Sequence, residues 1–352
     1  MNDSRKLALK VDKKDNVATV FSLGVSAGDE IEVRNRSGEP RFFCARSAIP
    51  YGHKIALKEI PLAGHVIKYS EVIGAASEPI QAGIDAAQSL VLRVSGLQRK
   101  AVDASEIIMA IKCGASDTTS GMASNCVIGY VSDKLVDLGA TVAFGETTEF
   151  LGGEHILARR AVDGENGPIG KKIYEIVDRM EKRAKSLGED MRGGQPTPGN
   201  IAGGLSSIEE KSLGAIVKSC HRPIQGALEY PDAITTQKGL WIKDTPGREP
   251  EILTGMAATG AQAMMFSTGR GAPQGFPSMP VIKICGNPNT YARMQHDMDM
   301  NAGTIITGES SIEQVGEQAF ARLLRVLSGE MTKNEALSYF GSMDIFCLGP
   351  VI

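Results

Sequence analysis

A chain of 352 residues, 42% hydrophobic and 22% charged, with a formal net charge of -3, has globular composition and enough length for one large domain and one small one. Its interspersed charges leave no basic stripe to neutralise phosphates, which argues against nucleic acid and for a small-molecule partner. No apolar run approaches the roughly 20 residues that span a bilayer, and the opening MNDSRKLALKVDKKD lacks the apolar centre of a signal peptide, so the expectation is a cytoplasmic protein with no membrane segment.

Residues 1–75 carry short β-like runs, LALKV, VATVF, EIEVR, KIALK and HVIKY, separated by turn-prone SAGD, RSGEP and PLAG. They predict a small all-β domain. Residues 76–104 read as a linker passing into a helix. Across 105–352 the pattern becomes α/β. Apolar runs EIIMAIKC, ATVAFGE, GLWIKD, GAQAMMFST, PVIKIC and GTIIT each precede a Gly-, Ser- or Thr-rich stretch and a helical pattern. That alternation predicts a Rossmann-like parallel sheet with helices on both faces. The clearest helices are NCVIGYVSDKLVDLG, PIGKKIYEIVDRMEKRAKSLG, SIEEKSLGAIVKSC and SIEQVGEQAFARLLRVLSG, the last two opening on a Ser suited to an N-cap. Six cysteines without a CxxC pair argue against a disulfide framework and a closed zinc site, and most are expected as buried thiols.

Ligands of open parallel sheets bind beyond the carboxyl ends of the strands. Four polar loops fall there: CGASDTTSGMASN, GETTEFLGGEH, STGRGAPQG and GNPNTY. Arg270, flanked by glycines, suits a forked contact to a carboxylate. GRGAPQG has the wrong glycine spacing for a dinucleotide loop, which excludes a nicotinamide site. Glu146, Glu149, Glu154 and His155, with Cys113 and Asp117 on the neighbouring loop, could supply a metal with mixed ligands, and His155 also suits a base. Asn200 and Gly203 stand where a loop could close over the pocket. Lys211 is expected in solvent beside Glu209 and Glu210, and Asp297 and Asp299 on the opposite rim. In the β domain His53, Lys68 and Tyr69 stand out.

At CGASDTTSGMASN, GETTEFLGGEHIL, PTPGNIAGGLSSIEEKSLGAI, FSTGRGAPQGFPSMPVIKICGNP and DMDMNAGTI the sequence resembles the altronate and galactarate dehydratase family, with its sulfolactate sulfo-lyase branch. DNVATV, IPYGHKIAL and HVIKYSEVIG resemble that family's N-terminal SAF-type β-clip domain. The resemblance implies metal-dependent loss of water from a hydroxylated sugar acid to give a 2-keto-3-deoxy acid, with iron(II), or alternatively manganese(II), as cofactor. It nominates His53, Lys68 and Glu154 as catalytic, Asp117, Asn200, Thr268 and Arg270 as substrate-binding, and Cys113, Glu149 and His155 as metal ligands. Three features depart from the family pattern: the intervening domain is absent, Asp12 stands where an early histidine is usual, and Ala302 replaces a cysteine. Sulfolactate cleavage and a binding protein without turnover stay open as alternatives, and the reading admits a homo-oligomer.

Overall fold

The computed structural model describes residues 6–35, 40–76, 93–235 and 238–347. The chain divides into two compact units, Met1–Lys100 and Ala101–Ile352. Most of the expected linker helix lies outside the described residues.

The first unit is β throughout. Its strands are β1 (Lys6–Leu9), β2 (Val17–Val20), β3 (Glu30–Arg34), β4 (Pro40–Cys44), β5 (Lys54–Ala56), β6 (His65–Lys68) and β7 (Glu71–Ala75). Five of them form one sheet in the order β4-β3-β1-β2-β5, and β6 pairs with β7. The alternate residues Val20, Ile31, Val33 and Ile55 fill a core between turns. Asn16, in the DNVATV segment, fastens the β6–β7 ribbon: its Nδ2 donates to His65 O at 2.7 Å, and its Oδ1 accepts from Ile67 N at 2.7 Å. The runs PRFFC and EVIGA, not predicted as strands, are β4 and β7.

The second unit is a parallel seven-stranded sheet flanked by helices, as the alternation predicts. Its strands are β8 (Ile108–Gly114), β9 (Thr141–Phe144), β10 (Ile224–Leu228), β11 (Gly239–Lys243), β12 (Ala263–Thr268), β13 (Val281–Cys285) and β14 (Met300–Asn301), in the order β10-β11-β9-β8-β12-β13-β14. The helices used below are α1 (Asn125–Asp137), α2 (Glu154–Arg159), α3 (Pro168–Ser186), α4 (Pro198–Ala202), α5 (Ile208–Ile216), α6 (Glu249–Ala258) and α7 (Ile312–Leu327). One face of the sheet presents Met109, Ile111, Val142, Phe144, Ile282 and Ile284 to α1, α3 and α7. The other presents Ala110, Met264 and Phe266 to Ile252, Leu253 and Met256 of α6. Strands with both faces covered must be apolar along their length, which is why they read as continuous runs.

One predicted element is corrected and one strand is added. GTIIT contains a one-turn helix, Gly303–Ile306, and the edge strand is the two-residue β14 just before it. β10, IQGAL, was not predicted, because Gln and Gly interrupt its apolar pattern. Ser207 and Ser311 cap α5 and α7 by accepting from the N–H groups of Glu210 and Gln314. Cys113, Cys220 and Cys285 are buried, Cys126 is half-buried, and Cys44 and Cys347 are exposed; all six are free thiols. No helix among the described residues is long and apolar enough to cross a membrane.

The chain runs from β8 to β9 on one side of the sheet and later returns through β12 on the other. The direction of winding therefore reverses at β8, and a crevice opens beyond its carboxyl end.

Candidate active site

A cavity of about 220 Å³ occupies that crevice. Its walls come from the end of β8 (Lys112, Cys113 and Gly114), the turn after β9 (Glu146 and Glu149), Gly247 before α6 and Glu249 at its start, α4 with Thr197 before it, Lys211 of α5, and Arg270 after β12. Two non-glycine residues at its edge hold left-handed backbone, Ala115 at φ 51° and Glu146 at φ 70°. Such strain persists only where the surroundings fix it, and it concentrates at functional sites.

The strained turn at Glu146 points its carboxylate back under β8. There Oε2 accepts from Cys113 N at 2.7 Å and Oε1 from Lys112 Nζ at 2.9 Å. Lys218, in the turn after α5, lies 3.2 Å from Glu146 Oε2 and donates to Glu149 Oε2. Lys112 also lies 3.5 Å from Glu249 Oε1. Five charged groups thus form one chain, Glu249–Lys112–Glu146–Lys218–Glu149, and Lys112, Lys218, Glu146 and Glu149 are all buried. A buried charge is tolerable only when paired in this way.

Burial alone would raise the Glu146 carboxyl, but Lys112 and Lys218 hold it below the usual glutamate range. Burial and then the neighbouring Glu146 push Glu149 above that range, against the pull of Lys218. Two adjacent carboxylates driven in opposite directions is the arrangement that separates a proton-accepting group from a permanently ionised one. Burial and Glu149 push the Cys113 thiol up to about 11, so it lines the cavity as a neutral group, 2.8 Å from Ser116 Oγ.

Two cations complete the cavity. Lys211 Nζ donates to Gln195 Oε1 at 2.9 Å and has no carboxylate within ion-pair distance among the described residues. Arg270 packs on the Gly199 backbone, where an added Cβ would stand 2.1 Å from its Nη1. Its guanidinium likewise has no carboxylate partner among the described residues, so both are available to an anionic ligand.

Of the residues nominated from sequence, Cys113, Glu149, Asn200 and Arg270 line this cavity. Asn200 is occupied in holding it: Nδ2 donates to Ser116 O at 2.8 Å while Oδ1 caps α4 through Thr197. Asp117 does not face the cavity. It is buried, and its carboxylate accepts from Thr119 Oγ1 at 2.6 Å, Ser120 N at 3.0 Å and Asn287 Nδ2 at 3.0 Å. It knots the loops after β8 and β13, because Thr119 and Ser120 donate from its own turn and Asn287 from the loop after β13. Thr268 is buried, and its Oγ1 accepts from Gly271 N at 3.0 Å, shaping the turn that presents Arg270. Glu154 and His155 form the first turn of α2 outside the cavity lining, and Glu154 Oε1 lies 3.8 Å from Arg192. Lys211, expected in solvent, is half-buried in the cavity wall. Asp299 is buried as a strut, accepting from Lys283 N and Lys333 N. In the first unit His53 is exposed beside β5, and Lys68 Nζ lies 4.5 Å above the Tyr69 ring.

Cys113, Glu149 and His155 do not come together as a metal centre. Among the described residues no three His, Cys, Asp or Glu side chains form a metal-binding group, and the carboxylates nearest Cys113 are already neutralised by Lys112 and Lys218. A divalent cation there would meet two ammonium groups, so this donor set does not fit the implied iron.

Lys112 and Lys218 were not singled out from sequence, though each lies in an otherwise apolar run, IMAIKCG and AIVKSC. A lysine at a position whose pattern demands burial needs a buried polar partner if it is to stay charged, and that was the available signal.

Comparison with known proteins agrees with these elements. A family model described as D-galactarate/Altronate dehydratase, C-terminal, matches residues 104–349, and one described as Altronate/galactarate dehydratase SAF domain matches 6–88. The chain is 39% identical to the (2R)-sulfolactate sulfo-lyase subunit beta of Chromohalobacter salexigens over 72% of this chain and 64% of that protein. It is 38% identical to the galactarate dehydratase (L-threo-forming) of Escherichia coli over 72% of this chain and 48% of that protein. With the altronate dehydratase of Bacillus subtilis it shares 31% identity over 84% of this chain and 58% of that protein. The chain thus spans about half to two thirds of the length of these relatives. It belongs to the galactarate and altronate dehydratase family, carrying both the SAF domain and the C-terminal domain of that family.

Proposed function

We propose that this chain removes water from a small hydroxylated sugar acid, giving a 2-keto-3-deoxy acid. The observation that carries the reading is one cavity with two uncommitted cations, Arg270 and Lys211, facing a buried carboxylate pair whose members are driven apart in proton affinity. Arg270 and Lys211 hold the substrate carboxylate and take up the negative charge that grows on it as the neighbouring C–H bond breaks. Glu149 accepts that proton, its carboxylate held in place by Lys218. The electron pair forms the C–C double bond of the enol and expels the β-hydroxyl, which leaves as water on receiving the proton from Glu149. The enol then tautomerises to the keto acid. Glu146, ionised and fixed by Lys112, keeps Lys218 charged and Glu149 basic.

No step in this proposal runs through a metal. His53 and Lys68, catalytic by family resemblance, have no step in it, and the cytoplasm is the proposed compartment. Incubation of the purified chain with a panel of aldonates and aldarates, read as keto-acid formation, tests the reading. Sulfite release from 3-sulfolactate with no keto acid from any sugar acid would replace dehydration by carbon–sulfur cleavage.

A further inference from the structure

The five-membered charge chain is unequal in its exposure. Glu146 and Glu149 are almost fully buried, whereas the Glu249 side chain keeps 32% of its surface open and lines the cavity. Glu249 opens α6, and it stands against the end of β8 because Gly114 has no side chain: a Cβ there would lie 2.8 Å from Glu249 Oε1 and 2.6 Å from the Phe266 ring. Its only basic partner among the described residues is Lys112, at 3.5 Å. Lys112 Nζ already donates to Glu146 Oε1, Cys113 O and Gly247 O at 2.9, 3.0 and 3.2 Å, which uses its three N–H groups. Glu249 therefore faces the cavity as a carboxylate with unfilled acceptor capacity.

The walls differ in charge as a result. The wall that includes Thr197, Asn200, Lys211 and Arg270 carries two cations without carboxylate partners among the described residues. The end of β8, the turn after β9 and the start of α6 bring together three carboxylates, Glu146, Glu149 and Glu249, sharing the ammonium groups of Lys112 and Lys218, and Glu249 is the most exposed of the three. A ligand whose single carboxylate sits at Arg270 and Lys211 brings its remaining groups to the second wall. Hydroxyls there donate to Glu249, while a second carboxylate or a sulfonate meets like charge.

We propose that Glu249 is a specificity-determining residue, which selects polyhydroxylated monocarboxylates by accepting from a distal hydroxyl and rejects ligands with a second anionic group. The inference rests on the sugar-acid reading and narrows its substrate class.

The test is calorimetric binding to the Glu149→Gln protein, in which turnover is blocked, with three probes: a six-carbon aldonate, the aldarate of the same chain length, and 3-sulfolactate. The aldonate is expected to bind about tenfold more tightly than either dianion. Adding Glu249→Gln brings the dianions to within about twofold of the aldonate. Adding Glu251→Gln instead, a carboxylate held by Arg248 outside the cavity lining, leaves the tenfold preference in place. A dianion binding as tightly as the aldonate to the parent overturns the inference, and so does a preference unchanged by Glu249→Gln. Should the Glu249 variant not fold, the parent's ratio alone decides. Binding of none of the three probes sinks the sugar-acid reading itself, a result distinct from binding without discrimination.

Discussion

Lys112 on β8 and Lys283 on β13 sit laterally either side of Phe266 on β12, with their Nζ atoms 4.9 and 3.6 Å from the centroid of that ring. Only one of them is paired. Lys112 has Glu146, whereas Lys283 Nζ is fully buried and has no hydrogen-bond partner among the described residues. Burial, and then the charge on Lys112, drive Lys283 well below the usual lysine range. The row Lys112–Phe266–Lys283 thus holds one paired ammonium and one amine whose burial disfavours its charged form.

Lys283→Met is predicted to stabilise the protein at neutral pH by about 1 kcal/mol or more, because methionine fills the site without a polar head group. The pH dependence has a definite sign. With its folded affinity for protons lowered, Lys283 binds more protons when unfolded, so its contribution is present only above about pH 10.4 and is lost as pH falls toward the folded value. Wild-type stability should rise between those limits, and the advantage of the variant should shrink over the same range. Denaturant melts of both proteins at pH 7 and pH 10 measure this. A variant less stable than wild type at pH 7 would show that the amine has a partner.

Glu149→Gln removes the proton acceptor while preserving shape. Turnover should fall about 10²- to 10⁴-fold with substrate affinity changed little. Because Glu149 is pushed above the glutamate range, wild-type kcat/KM should rise with pH along an acid limb displaced upward from about 4.3, since the deprotonated form is the active one. The limb belongs to the coupled pair with Glu146 rather than to one residue. Its persistence in the variant would move the base elsewhere.

Arg270→Ala should act on binding. The guanidinium has no ion-pair partner among the described residues, so melting behaviour is expected to stay within about 0.5 kcal/mol of wild type while KM rises about 10- to 100-fold. An unchanged KM would show that the carboxylate binds away from the turn after β12.

Asp117→Ala should act on stability. Its carboxylate satisfies donors from Thr119, Ser120 and Asn287 in a buried setting, and stranding them costs about 3 kcal/mol. Gly269→Ala should be similarly harmful, since a Cβ there would fall 1.9 Å from Asp117 Oδ1. Thermal unfolding checks both; wild-type midpoints would place the carboxylate outside the loop junction.

The sheet was legible because strands covered on both faces are written as apolar runs, and the winding reversal then locates the cavity at Cys113 and Gly114. The loops that reach it were legible too, as polar segments after those runs. Less visible was which polar residues face inward. Asp117 and Thr268 stand in polar loops like Arg270, yet Thr268 accepts from its own turn and Asp117 from its own turn and from Asn287. The pairing of Lys112 with Glu146 joins residues 34 apart in sequence and that of Lys218 with Glu149 joins residues 69 apart. No local pattern records either. GTIIT misled for a related reason, since a glycine followed by four β-branched residues does not distinguish a strand from a helical turn on an edge.

The central claim is that Glu149 carries a proton in a water-removing reaction within this cavity. Its most direct measurement is keto-acid formation from a sugar acid by the wild-type chain and by Glu149→Gln, followed by NMR alongside binding of the same acid to both proteins. Wild type is expected to form product, and the variant to bind without forming it. Product formed equally by both proteins, or binding without product in either, would contradict that claim.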